Sequence, residues 1–134
     1  MKLAIALLGL IPFSVLANTP ASSQPVKLER GIEVTYVTKG KGAVPKREQT
    51  VEVHYRGVLD NGQEFDSSYK RGQTISFPLN QVIPCWTIGV SSIPVGSKVK
   101  LRCPSNTAYG PNGVPGAIPP NANLTFDIEL VSIK

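Results

Sequence analysis

Few residues in this chain have the types and spacing that covalent or acid–base catalysis requires. His54, the single histidine, lies in an alternating run that places its side chain on the polar face of a predicted strand. Ser67 and Ser68 have no histidine nearby in sequence, and the Gly-x-Ser-x-Gly turn of hydrolases is missing. Asp66 lies among aromatic residues but has no second acid at a spacing that suggests glycoside hydrolysis. The pattern argues against nucleophilic and conventional acid–base chemistry.

The sequence also lacks the side chains that hold a metal ion or a phosphate. Two cysteines and one histidine fall short of the four ligands of a structural zinc site. No Cys-x-x-Cys redox pair is present. The glycines between positions 110 and 116 lack the following helix and lysine of a phosphate-binding loop. We therefore expect neither a metal site nor an organic cofactor.

The basic residues are spread along the chain, which carries a formal net charge of +5. The densest basic spots are two pairs, Lys46-Arg47 and Lys70-Arg71, and several other bases alternate with apolar residues along predicted strands. A nucleic-acid-binding domain usually concentrates its bases on one face. We interpret the charge as a solubility feature and expect no nucleic-acid partner.

Residues 1–17 have the pattern of a secretory signal peptide, with Lys2, a nearly continuous apolar run and Ala17 at a small-residue cleavage position. A membrane anchor is the alternative, but it needs roughly 20 apolar residues, and Pro12 interrupts this shorter run. No cysteine follows Ala17, so a bacterial lipid anchor is not indicated. We expect an exported protein that leaves the membrane after cleavage. The periplasm is the favoured destination, with a secretory lumen or the medium as alternatives.

Export makes a disulfide the favoured state of the two cysteines, Cys85 and Cys103. Their bridge would close a loop of about 18 residues and add roughly 3 kcal/mol to stability in the chain-entropy account. Two buried free thiols remain the alternative. Residues 18–30 are predicted to be a flexible lead-in because Asn18 to Gln24 are small and polar with one proline, and residues 31–134 are predicted to form a single domain.

Alternation of apolar and polar residues predicts the elements that must position these groups. Such runs begin near residues 32, 51, 75, 99 and 124. The segment from about 84 to 91 predicts a short helix, because Pro84 suits the first helical position and Trp86 and Val90 share a face. Strands that are polar on one side form antiparallel sheets. The sequence therefore predicts an α+β fold, a twisted antiparallel sheet of five to six strands wrapped around one short helix.

Residues 107–120 show no periodic pattern and contain four prolines and three glycines. A loop of this length in a compact domain is usually functional or disordered. Its apolar residues, which include Tyr109 and Ile118, argue against simple disorder.

Seven short motifs resemble the FKBP family of peptidyl-prolyl isomerases from about residue 32 to the end of the chain. The motifs are, in order, Val53-His54-Tyr55-Arg56-Gly57, Phe65-Asp66-Ser67-Ser68, Val82-Ile83-Pro84-Cys85-Trp86, Val95-Gly96-Ser97-Lys98, Ala108-Tyr109-Gly110, Ile118-Pro119-Pro120-Asn121-Ala122 and Leu124-Thr125-Phe126-Asp127-Ile128-Glu129-Leu130. Each motif is weak alone, but their order and spacing together are specific. The form Val82-Ile83-Pro-x-Trp86 is similar to bacterial, exported members.

The resemblance implies a half-barrel sheet with an apolar pocket between the sheet and the helix. Catalytic roles are implied for Phe65, Asp66, Trp86 and Tyr109. The implied substrate-binding residues are Tyr55, Phe65, Asp66, Ile75, Val82, Ile83, Trp86, Tyr109, Ile118 and Phe126. Trp86 would form the pocket floor, the Ile83 N–H would meet a ligand carbonyl, and Asp66 would lie near the twisted amide.

The resemblance also implies activity and partners. It implies cis–trans isomerisation of X-Pro bonds in exported polypeptides, with macrolides such as rapamycin or tacrolimus as inhibitors. A missing dimerisation segment favours a monomer.

Cys85 stands where glycine is usual and Cys103 where an apolar residue is usual, and this paired change favours the disulfide. Ile75 stands where many members have an aromatic residue. A non-catalytic module that binds proline-containing segments, as a chaperone or adaptor, is the alternative function.

Overall fold

The computed structural model describes residues 24–134, and within this range the alternating runs form strands. The strands are β1 (Val26–Lys27), β2 (Glu33–Thr38), β3 (Thr50–Leu59), β4 (Glu64–Ser67), β5 (Ile75–Pro78), β6 (Lys98–Cys103) and β7 (Leu124–Ile133). The helices are α1 (Ser68–Arg71) and α2 (Pro84–Val90). Three-residue 3-10 turns lie at Glu29–Gly31, Leu79–Gln81 and Ser105–Thr107.

All strand pairs are antiparallel, and the sheet order is β1-β2-β6-β7-β3-β4, with β5 also paired to β3. Strands β3 and β7 form the centre and pair from Val51 with Ile133 to Leu59 with Leu124. Side chains along β3 alternate between buried and half-buried, as expected for a sheet with one face on the core and one in water. These observations confirm the predicted α+β fold with an antiparallel sheet.

Helix α2 packs against the apolar face of this sheet. Pro84 begins the helix, where a missing N–H leaves no hydrogen bond unmade. An added Cβ at Gly89 would lie 2.5 Å from Cδ1 of Leu101 on β6, so glycine allows close approach of the helix to the strand. Trp86 and Val90 face the core together, as their spacing predicts.

The one-turn helix α1 was not anticipated from the sequence. Ser67 caps it by accepting a hydrogen bond from the Lys70 N–H at 3.4 Å, and Gly72 ends it with a φ of 70°. Four residues are too few to show a helical period, so only these two capping residues marked it. The helix interrupts the sheet edge between β4 and β5.

The N-terminal predictions fall partly beyond the structure. The signal peptide at 1–17 and residues 18–23 of the lead-in lie outside the described residues. From residue 24 onward the lead-in is not simply a coil, since β1 pairs with β2 through Val26 and Val34. Two paired residues are too short a run for alternation to reveal. Among residues 24–134, no helix has the length and apolar character needed to cross a membrane.

Cys85 and Cys103 form the predicted disulfide, which the structure confirms. Their Cα atoms are 5.7 Å apart, and both side chains are fully buried. Cys85 is the second residue of α2 and Cys103 is the last residue of β6. The bridge therefore fastens the start of the helix to the sheet.

Candidate active site

A cavity of about 480 Å³ lies at the N-terminal end of α2. It lies between the helix, strands β3, β4, β5 and β7, and the loop that follows β6. Its lining residues are Tyr55, Phe65, Asp66, Phe77, Gln81, Val82, Ile83, Trp86, Tyr109 and Phe126. Apolar lining with a few convergent polar groups is typical of a small-ligand site.

Trp86 is the aromatic residue around which the others are arranged. Its ring makes edge-to-face contacts with Tyr55 at 5.3 Å, Phe77 at 5.2 Å and Phe126 at 5.4 Å between centroids. Only 4% of Trp86 is exposed, so it forms the floor of the cavity. Edge-to-face pairs at these distances fix ring orientations as well as burying area.

Phe65 and Phe126 form one wall, and Gly57 makes room for them. Their rings meet edge to face at 5.7 Å. A Cβ added to Gly57 would lie 2.5 Å from Cζ of Phe65 and 2.9 Å from Cε1 of Phe126. Glycine at this position of β3 is therefore required by close approach of the two rings.

Asp66 is the cavity's carboxylate and is held by groups on both sides. Its Oδ2 accepts a short hydrogen bond from the Tyr55 hydroxyl, and its Oδ1 accepts hydrogen bonds from Arg71 Nη1 at 3.0 Å and from the Ser67 N–H at 2.9 Å. Burial raises the pKa of Asp66, but the hydrogen bonds from Tyr55 and Arg71 outweigh it, so the pKa lies below its usual value. Burial, followed by the hydrogen bond to the Asp66 carboxylate, raises the pKa of Tyr55, although the nearby Arg71 lowers it in part. At neutral pH the cavity therefore holds an oriented carboxylate and a neutral phenol.

Arg71→Met is expected to raise the pKa of Asp66, because the variant removes a charged donor that favours the carboxylate. Since the folded-state pKa of Asp66 is depressed, the stability it contributes is present above its unfolded pKa and is lost as pH falls through the folded pKa. The variant should lose that contribution at a higher pH. Titration of the Asp66 carboxyl carbon by NMR measures the change. Arg71→Lys, which keeps the charge without the planar fork, is the control and should raise the pKa less. An unchanged pKa in Arg71→Met would contradict this account.

Tyr109 and the proline-rich loop close one side of the cavity. Burial raises the pKa of Tyr109, and the nearby charge of Asp66 raises it further, so the hydroxyl stays protonated and can donate. The loop is an ordered turn structure: the Gly110 N–H bonds to the Ser105 carbonyl at 2.9 Å, and Val114 and Ile118 form an isolated bridge. These backbone hydrogen bonds explain how the proline-rich segment is ordered although it forms neither a helix nor a strand.

A backbone donor completes the polar groups of the site. The Ile83 carbonyl accepts hydrogen bonds from the N–H groups of Trp86 and Thr87, which begins helix α2. Among the residues described, no backbone acceptor takes the Ile83 N–H. The Ile83 N–H, at the edge of the cavity that Val82 and Ile83 form (the lip), is thus free to bind a carbonyl oxygen.

Most of the residues proposed from the sequence come together in this cavity. The eight that line it are Tyr55, Phe65, Asp66, Val82, Ile83, Trp86, Tyr109 and Phe126. Ile75 is not among the lining residues; it pairs with Val53 and packs at the edge of the core. Ile118 is buried at the loop bridge and also lies outside the lining. The substrate-binding roles of these residues stay predictions.

Sequence reasoning missed three residues of the site, Phe77, Gln81 and Arg71. Phe77 lies two residues after Ile75 on the same strand, so the alternation already placed both side chains on one face. Gln81 lies in the 3-10 turn before α2, where no periodic pattern exists. Arg71 reaches Asp66 only because of α1. The sequence signal that could have predicted α1, and with it the position of Arg71, is the pair of capping residues Ser67 and Gly72.

Comparison with known proteins gives a consistent result for both sequence and fold. The family model for FKBP-type peptidyl-prolyl cis-trans isomerases matches residues 41–131. The chain is 52% identical over 106 residues to the isomerase FkpA of Aeromonas hydrophila, covering 79% of this chain and 39% of that protein. It is 46% identical to Xenopus laevis FKBP1A, covering 78% of this chain and 99% of that protein.

A solved structure supports the same assignment. The peptidyl-prolyl cis-trans isomerase of Pseudomonas syringae pv. tomato is 34% identical, with a TM-score of 0.79, over 100% of this chain and 99% of that one. The chain spans about two-fifths of the length of the FkpA relatives, as the 39% coverage shows. By its sequence, its sheet topology and its aromatic cavity, the chain belongs to the FKBP-type peptidyl-prolyl cis-trans isomerase family.

Proposed function

We propose that this chain is an enzyme that accelerates cis–trans isomerisation of X-Pro bonds, with proline-containing polypeptides as substrates. The observation that carries the proposal is the aromatic cavity floored by Trp86, whose lining also includes Asp66, Tyr109 and Ile83. The cavity is wide enough for a prolyl ring with parts of its neighbours.

The reaction needs no proton transfer or covalent intermediate. Rotation about the prolyl amide crosses a barrier of about 18–20 kcal/mol, because resonance is lost when the amide twists. Spontaneous exchange takes roughly 10–100 s, so turnover in about a millisecond requires about 6–7 kcal/mol of transition-state stabilisation. This is attainable if the twisted amide binds better than either planar form.

An apolar cavity supplies part of this difference. A planar amide has a large dipole that water stabilises, whereas the twisted amide has less charge separation and loses less on transfer out of water. The aromatic faces of Trp86, Phe126 and Tyr55 provide such an environment. Exclusion of water therefore lowers the barrier without any proton transfer.

The polar groups hold the parts that rotate against each other. The Ile83 N–H is available to one substrate carbonyl and the Tyr109 hydroxyl to another, while Asp66, fixed by Tyr55 and Arg71, lies beside the twisting bond. Because these groups are already held in position, they do not have to be ordered while the amide rotates. They therefore favour a substrate conformer close to the transition state.

We extend the proposal to ligands, assembly and location. Macrolides such as rapamycin and tacrolimus are expected to occupy the cavity and inhibit the enzyme. One relative, from Saccharomyces cerevisiae, is named FK506-binding protein 1. The chain is proposed to act as an exported monomer, periplasmic by preference, without nucleic-acid or membrane partners. A buried disulfide supports an oxidising compartment. Cell fractionation and light scattering of the purified chain test location and assembly.

A protease-coupled assay on an X-Pro tetrapeptide tests the central proposal. We expect cis-to-trans conversion to become faster in proportion to enzyme, and rapamycin to abolish the increase. Refolding of a protein limited by a prolyl bond provides a second readout. Saturable peptide binding without faster conversion would overturn the enzyme proposal and assign a chaperone or adaptor instead.

A further inference from the structure

The disulfide links the start of α2, next to Ile83 and Trp86 of the cavity lining, to the end of β6, from which the chain runs on to Tyr109. On one side, Cys85 lies between Ile83 at the lip and Trp86 at the floor. On the other side, Cys103 ends β6 and begins the segment that leads to Tyr109. We propose that the Cys85–Cys103 clasp positions the floor and lip of the cavity against Tyr109, and so sets substrate affinity in addition to stability; this rests on the proposed isomerase function.

The segment from Cys103 to Tyr109 can transmit position because it is a tight hydrogen-bonded turn. The Thr107 N–H and hydroxyl both donate to the Pro104 carbonyl, at 2.9 and 2.7 Å. The Ala108 N–H donates to the Ser105 carbonyl at 3.0 Å. Thr107 itself is fully buried. A shift of Cys103 is therefore passed to Tyr109 rather than absorbed between them.

The helix side depends on the clasp at its first turn. The N-cap residue, Ile83, makes no side-chain capping hydrogen bond, so the local tie of the first turn of α2 is the Thr87 hydroxyl, which donates to the Leu79 carbonyl. The close contact of Gly89 with Leu101 holds the second half of the helix on β6. The Cys85–Cys103 disulfide is the covalent contact that holds the first half of the helix, which contains Trp86 and directly follows Ile83 with its free N–H.

Opening the clasp should leave the fold intact but let the two sides move independently. Substrate binding would then have to order Tyr109 against the lip, which costs affinity. We expect KM for an X-Pro peptide to rise about three- to tenfold, with kcat changed less than about twofold. A role in stability alone predicts no change in either constant while the protein is folded.

The experiment compares the oxidised protein with the same protein reduced in denaturant and refolded under reductant, and with the variant Cys85→Ala/Cys103→Val. Because both cysteines are fully buried, reduction without unfolding is expected to be slow. Kinetics are measured at about 10 °C, near the temperature of greatest stability, with circular dichroism confirming the folded state. If the reduced forms unfold there, trimethylamine N-oxide restores the compact state, and all forms are compared in it.

Val34→Ala is the matched control, since Val34 is buried on β2 and does not line the cavity. It should lower the melting temperature but keep the KM of the oxidised protein. A raised KM in both bridge-free forms, with unchanged KM in Val34→Ala, supports the clasp. Equal KM values in all folded forms overturn it. Failure of the oxidised protein to accelerate isomerisation would instead overturn the proposed function.

Discussion

Trp86→Ala is expected to lower the free energy of unfolding by about 3–5 kcal/mol and kcat/KM by more than about 100-fold. The stability loss follows from burial, since Trp86 is 4% exposed and its indole contacts three aromatic rings edge to face. The activity loss follows because the remaining rings lose the surface against which they are oriented. Water can then enter the cavity and solvate the planar amide.

Two measurements separate these effects. Urea unfolding gives the change in stability, and the protease-coupled assay gives kcat/KM at a temperature where the variant is folded. Leu130→Ala is the control, because Leu130 is buried on β7 and does not line the cavity; it should cost about 2–5 kcal/mol with activity retained. A folded Trp86→Ala protein with unchanged kcat/KM would contradict the role of Trp86 as the floor.

The sheet could be predicted from the sequence because period-two alternation is a local property of each strand. Strands β3, β6 and β7 bury every second residue, so their positions are visible without knowledge of their partners. Pairing order is different. Nothing in the local pattern states that β6 lies between β2 and β7, because that depends on how the whole sheet buries its apolar face.

The sequence predicted the site residues that lie in family motifs. It did not predict those that reach the site only through tertiary contacts. Trp86 and Phe126 lie in recognisable motifs, whereas Arg71 becomes part of the site through a one-turn helix and a 3.0 Å contact with Asp66. The choice between Ile75 and Phe77 also needed coordinates, since both lie on one face of β5 and only packing against Trp86 distinguishes them.

The Asp66 carboxylate is expected to act mainly on turnover and the aromatic wall mainly on substrate binding. One variant of each separates the two effects. Asp66→Ala should lower kcat about 10- to 100-fold, the usual range for losing a charged hydrogen-bonding group, with KM changed little. Phe126→Leu keeps most of the buried volume but removes the ring that contacts Trp86 and Phe65. We expect it to lower kcat/KM about tenfold, chiefly by weakening binding.

The double variant Asp66→Ala/Phe126→Leu tests whether this cavity is where the reaction occurs. If the two groups contribute independently, their effects multiply, so kcat/KM should fall at least about 100-fold. Asp66→Asn keeps the size of the side chain without its charge and is the control for altered packing. Steady-state kinetics on one X-Pro peptide, with folding checked by circular dichroism, give kcat and KM for the wild type and the four variants. A folded double variant that turns over substrate at the wild-type rate would place the reaction elsewhere on the molecule, because the proposed mechanism loses both the oriented carboxylate and part of the aromatic wall in that variant.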